Sequence, residues 1–306
     1  MTRLAELRTT LAEQPWELWT RQIAAVLRMD LRKNFLSRRG IWIYLLAFAP
    51  VVIITLHAII DRHSGSMRED TEVLAGIFQF FYLRLGIFFG CLGIFTWLFR
   101  GEIIEKSLHY YFLAPVKREV LLLGKFVGGL ITSVTLFGLG VFASFAMMYL
   151  RFGDAGQYYV FNGPGMGQLL AYLGVTVLAC IGYGSVFLAL SLLFKNPVVP
   201  AILVLGWETF TPVLPSLVQR FSITYYLKQL CPVSIPGEGL LALFTVVSEP
   251  VGTIAAVLGP IVLAALVLVL ACKLIRKLEI SYAAEKSSNF RHYVETDGGA
   301  RSLYSH

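Results

Sequence analysis

The chain has 306 residues, of which 57% are hydrophobic and 15% charged, and it carries a formal net charge of +7. So apolar a composition leaves little sequence for a sizeable soluble domain and favours an integral membrane protein. We attribute the positive charge to contact with the membrane surface, and we expect no nucleic-acid partner. The four cysteines form no Cys-x-x-Cys pair, which argues against a disulfide framework or a zinc site.

The first 39 residues contain one amphipathic pattern. Pro15 suits the first turn of a helix, and large apolar residues then recur at helical spacing: Trp16, Trp19, Ile23, Val26, Leu27 and Leu31. Arginines fall on the opposite face. A helix with Trp and Leu on one side and Arg on the other is typical of a helix lying in the lipid headgroup layer. The alternative is an ordinary helix that packs on another subunit.

Six long apolar segments follow this helix. A helix needs about 20 apolar residues to cross the hydrocarbon, and helices satisfy their own backbone hydrogen bonds there. The sequence therefore predicts an all-α membrane protein with six transmembrane helices. The predicted spans are Gly40–Ile60, Gly76–Phe99, Val120–Leu150, Gly167–Phe194, Val198–Leu214 and Val251–Ala271.

The distribution of Lys and Arg predicts the orientation of these spans. Six spans place both termini on one side, and 20 of the 26 Lys and Arg residues lie on or near that side, in the termini, in residues 100–125 and at Lys195. The other side holds five, and Arg84 lies deep within a span. The positive-inside rule then places both termini in the cytoplasm. We expect the protein to reside in the inner or plasma membrane of the cell.

A short polar segment separates spans two and three. Ile104, Leu108, Tyr111 and Phe112 share one helical face, and Glu102, Glu105, Lys106 and His109 share the other. Pro115 ends the pattern. The segment is thus predicted to be an amphipathic helix on the cytoplasmic surface, held to the membrane by its aromatic side.

The region after span four contains several helix breaks. The turn Lys195-Asn-Pro197 forces spans four and five to pack as an antiparallel pair, and span five is short. Beyond it, Ser216–Leu230 is moderately apolar, and Gly239–Val247 is apolar but too short to cross. These patterns predict a re-entrant hairpin of two short helices between spans five and six.

The sequence contains none of the motifs that mark a catalytic or nucleotide-binding site. It has no phosphate-binding loop, no His-Glu-x-x-His and no Gly-x-Ser-x-Gly. We therefore expect no catalytic residue, no metal site and no bound cofactor, and we predict that the chain is not an enzyme.

Arg84 and Glu208 stand out as charged residues deep inside predicted spans. Their distances from the outer face are comparable, eight and six residues. Charges at such depth are costly and usually face a partner or a water-filled path. The hypothesis is that Arg84 and Glu208 form an ion pair or jointly line the outer half of a pathway. The alternative is that each snorkels or pairs elsewhere in the bundle.

The chain resembles a permease subunit of the type-2 ATP-binding-cassette exporters. The similarity covers Trp16 to about Lys277 and includes the amphipathic N-terminal helix, six spans and the re-entrant hairpin. Its local part runs from Glu102 to Lys125, with Glu105-Lys-Ser-Leu108, Leu113-Ala-Pro115 and Leu123-Gly-Lys125. We divide the chain accordingly into residues 1–39, a transmembrane domain of residues 40–274, and a cytoplasmic tail of residues 275–306.

The resemblance implies a dimer, either with a second copy or with a related permease, and separate ATPase subunits that bind ATP and Mg²⁺ on the cytoplasmic side. It implies that Glu102, Glu105, Lys106, Leu108, His109 and Tyr110 form a coupling helix seated on the ATPase. It further implies that Trp16 and Trp19 belong to a connecting helix, and that Arg84 and Glu208 lie at or near the pathway.

The leading hypothesis is that the chain exports an amphipathic or hydrophobic substrate, because its spans contain few polar groups. Two other classes stay open: a membrane scaffold or assembly protein without transport, and a membrane-embedded enzyme, which the lack of a catalytic constellation disfavours. Membrane lipids are expected partners in every case.

Overall fold

The computed structural model of the protein describes residues 20–25, 27–29, 40–60, 66–104, 117–194, 196–233, 235 and 251–277. These residues form helices joined by short turns, and no strand occurs among them. The all-α class predicted from the sequence is confirmed. Trp16, Trp19, Gly239–Val247 and the tail from residue 278 lie outside the described residues, as do Glu105–Tyr110 of the predicted coupling helix.

Ten α-helices can be assigned within the described ranges from residue 40 onward. In chain order they are α1 (Ile41–Ile60), α2 (Met67–Gly76), α3 (Ile87–Ile104), α4 (Arg118–Leu150), α5 (Gly153–Phe161), α6 (Gly165–Leu193), α7 (Val198–Phe210), α8 (Ser216–Gln219), α9 (Ile223–Leu230) and α10 (Thr253–Lys277). A π-helix, Ile77–Gly86, joins α2 to α3, and a 3₁₀ turn, Thr211–Val213, follows α7.

Five of the helical segments described are long and apolar enough to cross a membrane. They are Ile41–Ile60, Met67–Gly101, Arg118–Leu150, Gly165–Leu193 and Thr253–Ile275. The predicted fifth span is the shorter apolar helix Val198–Val213, which measures only about 24 Å at 1.5 Å per residue. Crossing the hydrocarbon requires about 30 Å. The five long apolar helices make the chain a multi-pass membrane protein. The six-span layout stays a prediction, because the fifth apolar helix is short.

The helix of span two begins earlier than the sequence predicted. Ser66 caps α2 by accepting a hydrogen bond from the Glu69 backbone N–H, and the Glu69 side chain accepts one from the Ser66 backbone N–H. This reciprocal capping box satisfies two of the free donors at the helix start. The predicted span starts later, at Gly76, because α2 is polar and lacks the apolar run that marked the other spans.

The core of the bundle forms where α3, α4 and α6 pack against one another and α1 packs on α4. Glycines admit aromatic rings at these contacts. A Cβ atom at Gly90 would collide with the Phe137 ring, and one at Gly129 or Gly184 would collide with the Phe95 ring. Without a hydrophobic driving force between helices in lipid, such close packing is the main source of association.

One tyrosine links three of these elements. The Tyr82 hydroxyl, on the π-helix, donates to the Ala47 carbonyl of α1 at 3.1 Å. It also lies 2.9 Å from the Ser144 hydroxyl of α4. Tyr82 is almost fully buried. The two hydrogen bonds therefore fix α1 and α4 to the same point of the second span.

We expect Gly140→Ala to destabilise the bundle. Its Cβ would collide with the Ala47 carbonyl oxygen and crowd the Tyr82 hydroxyl, and overpacking of this kind costs about 1–3 kcal/mol. Gly174→Ala is the matched control, because a Cβ there meets nothing within 4 Å and alanine favours a helix by about 1 kcal/mol. Thermal unfolding of the purified protein in detergent should show a lower Tm for Gly140→Ala only. Equal Tm values for the two variants would contradict this packing.

Candidate functional site

Glu208, near the end of α7, has a buried side chain and accepts three hydrogen bonds. The Ser222 hydroxyl donates to Oε2 at 2.5 Å. The backbone N–H groups of Ile223 and Thr224 donate to Oε1 and Oε2, each at 3.1 Å. The carboxylate is thus bound to the first turn of α9. A negative charge is favourable there, because the first N–H groups of a helix lack intrahelical acceptors and the macrodipole is positive at that end.

Helix α9 lies beside the middle of α6. The Tyr183 hydroxyl is 2.8 Å from the Thr224 hydroxyl, and Ile223 packs over Gly182. The Ser222 side chain caps α9 by accepting from the Tyr225 backbone N–H. Tyr183 and Glu208 lie at similar distances, about 15 Å, from the turn that joins α6 to α7. The contacts therefore place the start of α9 deep alongside a spanning helix.

The other end of α9 is attached to spans two and six. The Gln79 side-chain amide of the π-helix donates to the Val233 carbonyl at 2.7 Å. The Gln229 side-chain carbonyl accepts from the Val251 backbone N–H at 2.9 Å, just before α10. Side chains thus provide partners for backbone groups where the helices break. The predicted first half of the hairpin, Ser216–Leu230, is helical as α8 and α9, and its re-entrant position stays a prediction.

The structure does not join Arg84 to Glu208. The ion pairs among the described residues include none between them, and the Glu208 oxygens are taken by α9. Arg84 is half-buried on the π-helix, which contacts α9, the helix that carries Lys228. A pathway lined by Arg84 and Glu208 stays a prediction.

Sequence reasoning missed a second buried polar cluster. Asp70 of α2 is 1% exposed and forms an ion pair with Arg151, whose Nη2 atom lies 2.7 Å from Oδ2. His57 Nε2 lies 3.5 Å from Asp70 Oδ1. Beside them, the Thr71 and Tyr149 hydroxyls are 2.9 Å apart. These residues connect α1, α2 and the end of α4, so the cluster is positioned to hold the three helices together at one end of the bundle.

At the opposite end, the described residues show how the helices enter the predicted coupling segment. Helix α3 continues through Ile104, so the backbone of Glu102 belongs to the last turns of span two. The Arg118 side chain, at the start of α4, donates to the Ile275 carbonyl of α10 at 3.4 Å. Lys125 is fully buried, and its ammonium lies 5.6 Å from the centre of the Phe99 ring, within cation–π range.

Part of the predicted connecting helix is described. Residues 20–25 and 27–29 are helical, with Arg21 and Arg28 exposed and Ile23 and Leu27 half-buried. This division agrees with an amphipathic helix over that stretch. Whether it lies on the membrane surface or on a second subunit stays a prediction.

Comparison with known families identifies the bundle. Residues 34–207, more than half of the 306, match the model of the ABC-2 family transporter proteins. The match includes α1 to α6, the segment predicted to couple to an ATPase, and almost all of α7. It ends one residue before Glu208, so the α8–α9 region lies beyond it. A search of curated proteins gave no match. The chain belongs to the ABC-2 transporter family and is a membrane permease of an ATP-binding-cassette transporter.

Proposed function

We propose that this permease is the transmembrane subunit of an ATP-driven exporter that moves an amphipathic or hydrophobic substrate. ATP is bound and hydrolysed, with Mg²⁺, on separate ABC ATPase subunits, and the chain itself carries no cofactor and no catalytic residue. The observation that carries the proposal is the family match over residues 34–207. Membership of this family implies ABC ATPase partners, which supply the energy that the chain cannot supply itself.

The proposed coupling helix contains Glu102, Glu105, Lys106, Leu108, His109 and Tyr110. Its position in the chain favours this role. It begins in the last turn of α3, which packs closely on α4 and α6, and it precedes α4. A push on a segment joined to two well-packed helices is transmitted into the bundle, because packed cores resist continuous deformation.

The nature of the substrate is inferred from the interior. The described core is dominated by Leu, Ala, Phe, Ile and Tyr, and few charged side chains are buried in it. A naked ion would require a chain of polar ligands through the bilayer. A molecule with an apolar part can instead move along the apolar faces of the spans, so an amphipathic substrate is favoured.

We further propose that two permeases assemble in the inner or plasma membrane with both termini in the cytoplasm. Three apolar helices support a dimer, because they have little of their surface buried within the single chain. Only 22% of the 18-residue apolar stretch is buried in the first span, and the same fraction is buried in the last. Val199, Leu203 and Phe210 are exposed along α7. Lipid and a second copy would share these faces.

The test is co-purification of the ATPase subunit with a tagged permease. We expect the wild type to retain the ATPase and Glu105→Arg to lose most of it, at least tenfold, because a reversed charge would face the ATPase groove. Glu72→Arg is the matched control, since Glu72 is an exposed acid on α2 that is predicted to lie outside the cell. ATP-dependent substrate movement in vesicles should be lost with the ATPase.

Two outcomes would contradict the proposal. A permease that never retains an ATPase would favour a membrane scaffold. Labelling of a cysteine introduced at Ser107 from the outside of intact cells would show that the coupling segment is on the wrong side for an ATPase.

A further inference from the structure

The π-helix and α9 pack against each other, and each carries one cation, Arg84 and Lys228 respectively. Gln79 fixes this contact by donating to the Val233 carbonyl. In a π-helix the backbone hydrogen bond spans five residues, so residue i+5 lies almost one turn beyond residue i. Arg84 is five residues after Gln79 and therefore lies on nearly the same face, one turn farther along. In an α-helix, by contrast, residue i+5 would point well away from residue i.

Lys228 is the cation on the opposing segment, which consists of α9 and the residues that follow it. It lies five residues before Val233, in the last turn of α9. A Cβ atom at Gly76 would lie 3.8 Å from the Ile235 side chain, and Gln79 bonds to Val233, so the two segments run antiparallel. Residues before Val233 therefore lie alongside residues after Gln79, which places Lys228 toward Arg84.

No described carboxylate neutralises this pair. The ion pairs among the described residues involve Asp70 and Glu72, on α2. Glu208, the buried acid of α7, accepts hydrogen bonds from Ser222 and the first turn of α9 instead. Two like charges repel more strongly where the dielectric constant is low, and cations within a membrane protein require a counter-charge or water. An anion placed between Arg84 and Lys228 would remove both costs.

Exposed aromatic side chains occur on the same two segments. Phe80, one turn before Arg84 on the π-helix, is 58% exposed, and Phe221, just before α9, is 69% exposed. Lys228 itself is exposed on the surface of the chain, and Arg84 is half-buried. A ligand that reaches these cations from the bilayer would therefore meet aromatic surface with its apolar part.

We propose that Arg84 and Lys228 form a binding site for the phosphate or carboxylate headgroup of the amphipathic molecule that the permease moves. This inference rests on the proposed function and names its substrate class, an anionic amphiphile. An anionic lipid of the bilayer carries the same chemistry, so the test must distinguish a transported molecule from a bound lipid.

The experiment uses the full permease–ATPase complex in nanodiscs of phosphatidylcholine, with or without phosphatidylglycerol as the anionic probe. The first readout is the amount of phosphatidylglycerol retained by the purified complex, measured by mass spectrometry. The second is ATPase activity. The variants are Lys228→Gln, Arg84→Gln, their combination, and the charge-preserving pair Arg84→Lys with Lys228→Arg. Arg220→Gln is the matched control, because Arg220 is an exposed cation next to the same hairpin helix.

We expect the double Gln variant to retain at least tenfold less phosphatidylglycerol than the wild type and to lose the ATPase stimulation by this lipid. Arg220→Gln and the charge-preserving pair should behave like the wild type. Lys228 is exposed, so Lys228→Gln alone carries the test if Arg84→Gln fails to fold.

Unchanged retention in a folded Lys228→Gln or double variant would overturn the site. Retention that is lost without any effect on ATPase activity would show a bound lipid only, which overturns the assignment to substrate. Failure of the ATPase to co-purify in every variant, including the wild type, would instead reject the proposed function.

Discussion

Replacement of Asp70 by asparagine is expected to lower the free energy of unfolding by about 3–5 kcal/mol, which is the usual cost of removing one partner from a buried ion pair. Asp70 and Arg151 are 1% and 9% exposed, and their charged atoms are 2.7 Å apart. With the carboxylate gone, the guanidinium stays buried without its counter-charge. The measurement is thermal or denaturant unfolding of the purified protein in a single detergent.

Glu72→Gln is the matched control for this prediction. Glu72 is on the same helix and pairs with Arg68, but the two side chains are 59% and 90% exposed. Exposed pairs contribute about 1 kcal/mol or less. A double-mutant cycle with Arg151→Gln should recover part of the loss, because both charges are then removed together. Equal losses for Asp70→Asn and Glu72→Gln would show that the buried pair does not stabilise the bundle.

Glu208→Ala is expected to release the first turn of α9. The substitution leaves the Ile223 and Thr224 N–H groups and the Ser222 hydroxyl without their acceptor. Each buried donor left unsatisfied costs about 1–3 kcal/mol, and membrane surroundings offer no water in exchange. We expect the amides of residues 223–226 to exchange hydrogen on the order of a hundredfold faster.

Thr209→Val provides the control for this experiment, because the Thr209 hydroxyl donates to the Leu205 carbonyl within its own helix. It should leave exchange in α9 unchanged. Glu208→Gln should be intermediate, since the amide keeps one acceptor oxygen but loses the charge. Exchange in Glu208→Ala as slow as in the wild type would mean that the carboxylate does not hold α9.

The apolar helices could be predicted from the sequence with small errors. Helices α1, α4 and α6 begin and end within two residues of the predicted boundaries, because an uninterrupted apolar run leaves a helix little choice in lipid. The helix of span two starts before the predicted span, at Met67 instead of Gly76. Hydropathy gave no sign of this, because α2 is polar. The capping box of Ser66 and Glu69 was the available signal. The π-helical turn around Arg84 has no comparable signature in the sequence.

The partners of the buried charges could not be predicted in the same way. Asp70 and Arg151 are 81 residues apart in the chain, and hydropathy says nothing about which charge meets which. Glu208 was placed correctly inside an apolar segment, but its partner proved to be a helix end rather than Arg84. The relevant signal was Ser222, a capping residue immediately before an amphipathic stretch.

The hydrogen bonds of Tyr82 have a mechanical consequence. One phenol oxygen bridges the first, second and third spans, so these three would travel as a single rigid block during a transport cycle. Among the described residues, helices α7 and α10 make few contacts with that block. We therefore expect α7 and α10 to shift against the block around Tyr82 during transport, while the block itself keeps its shape.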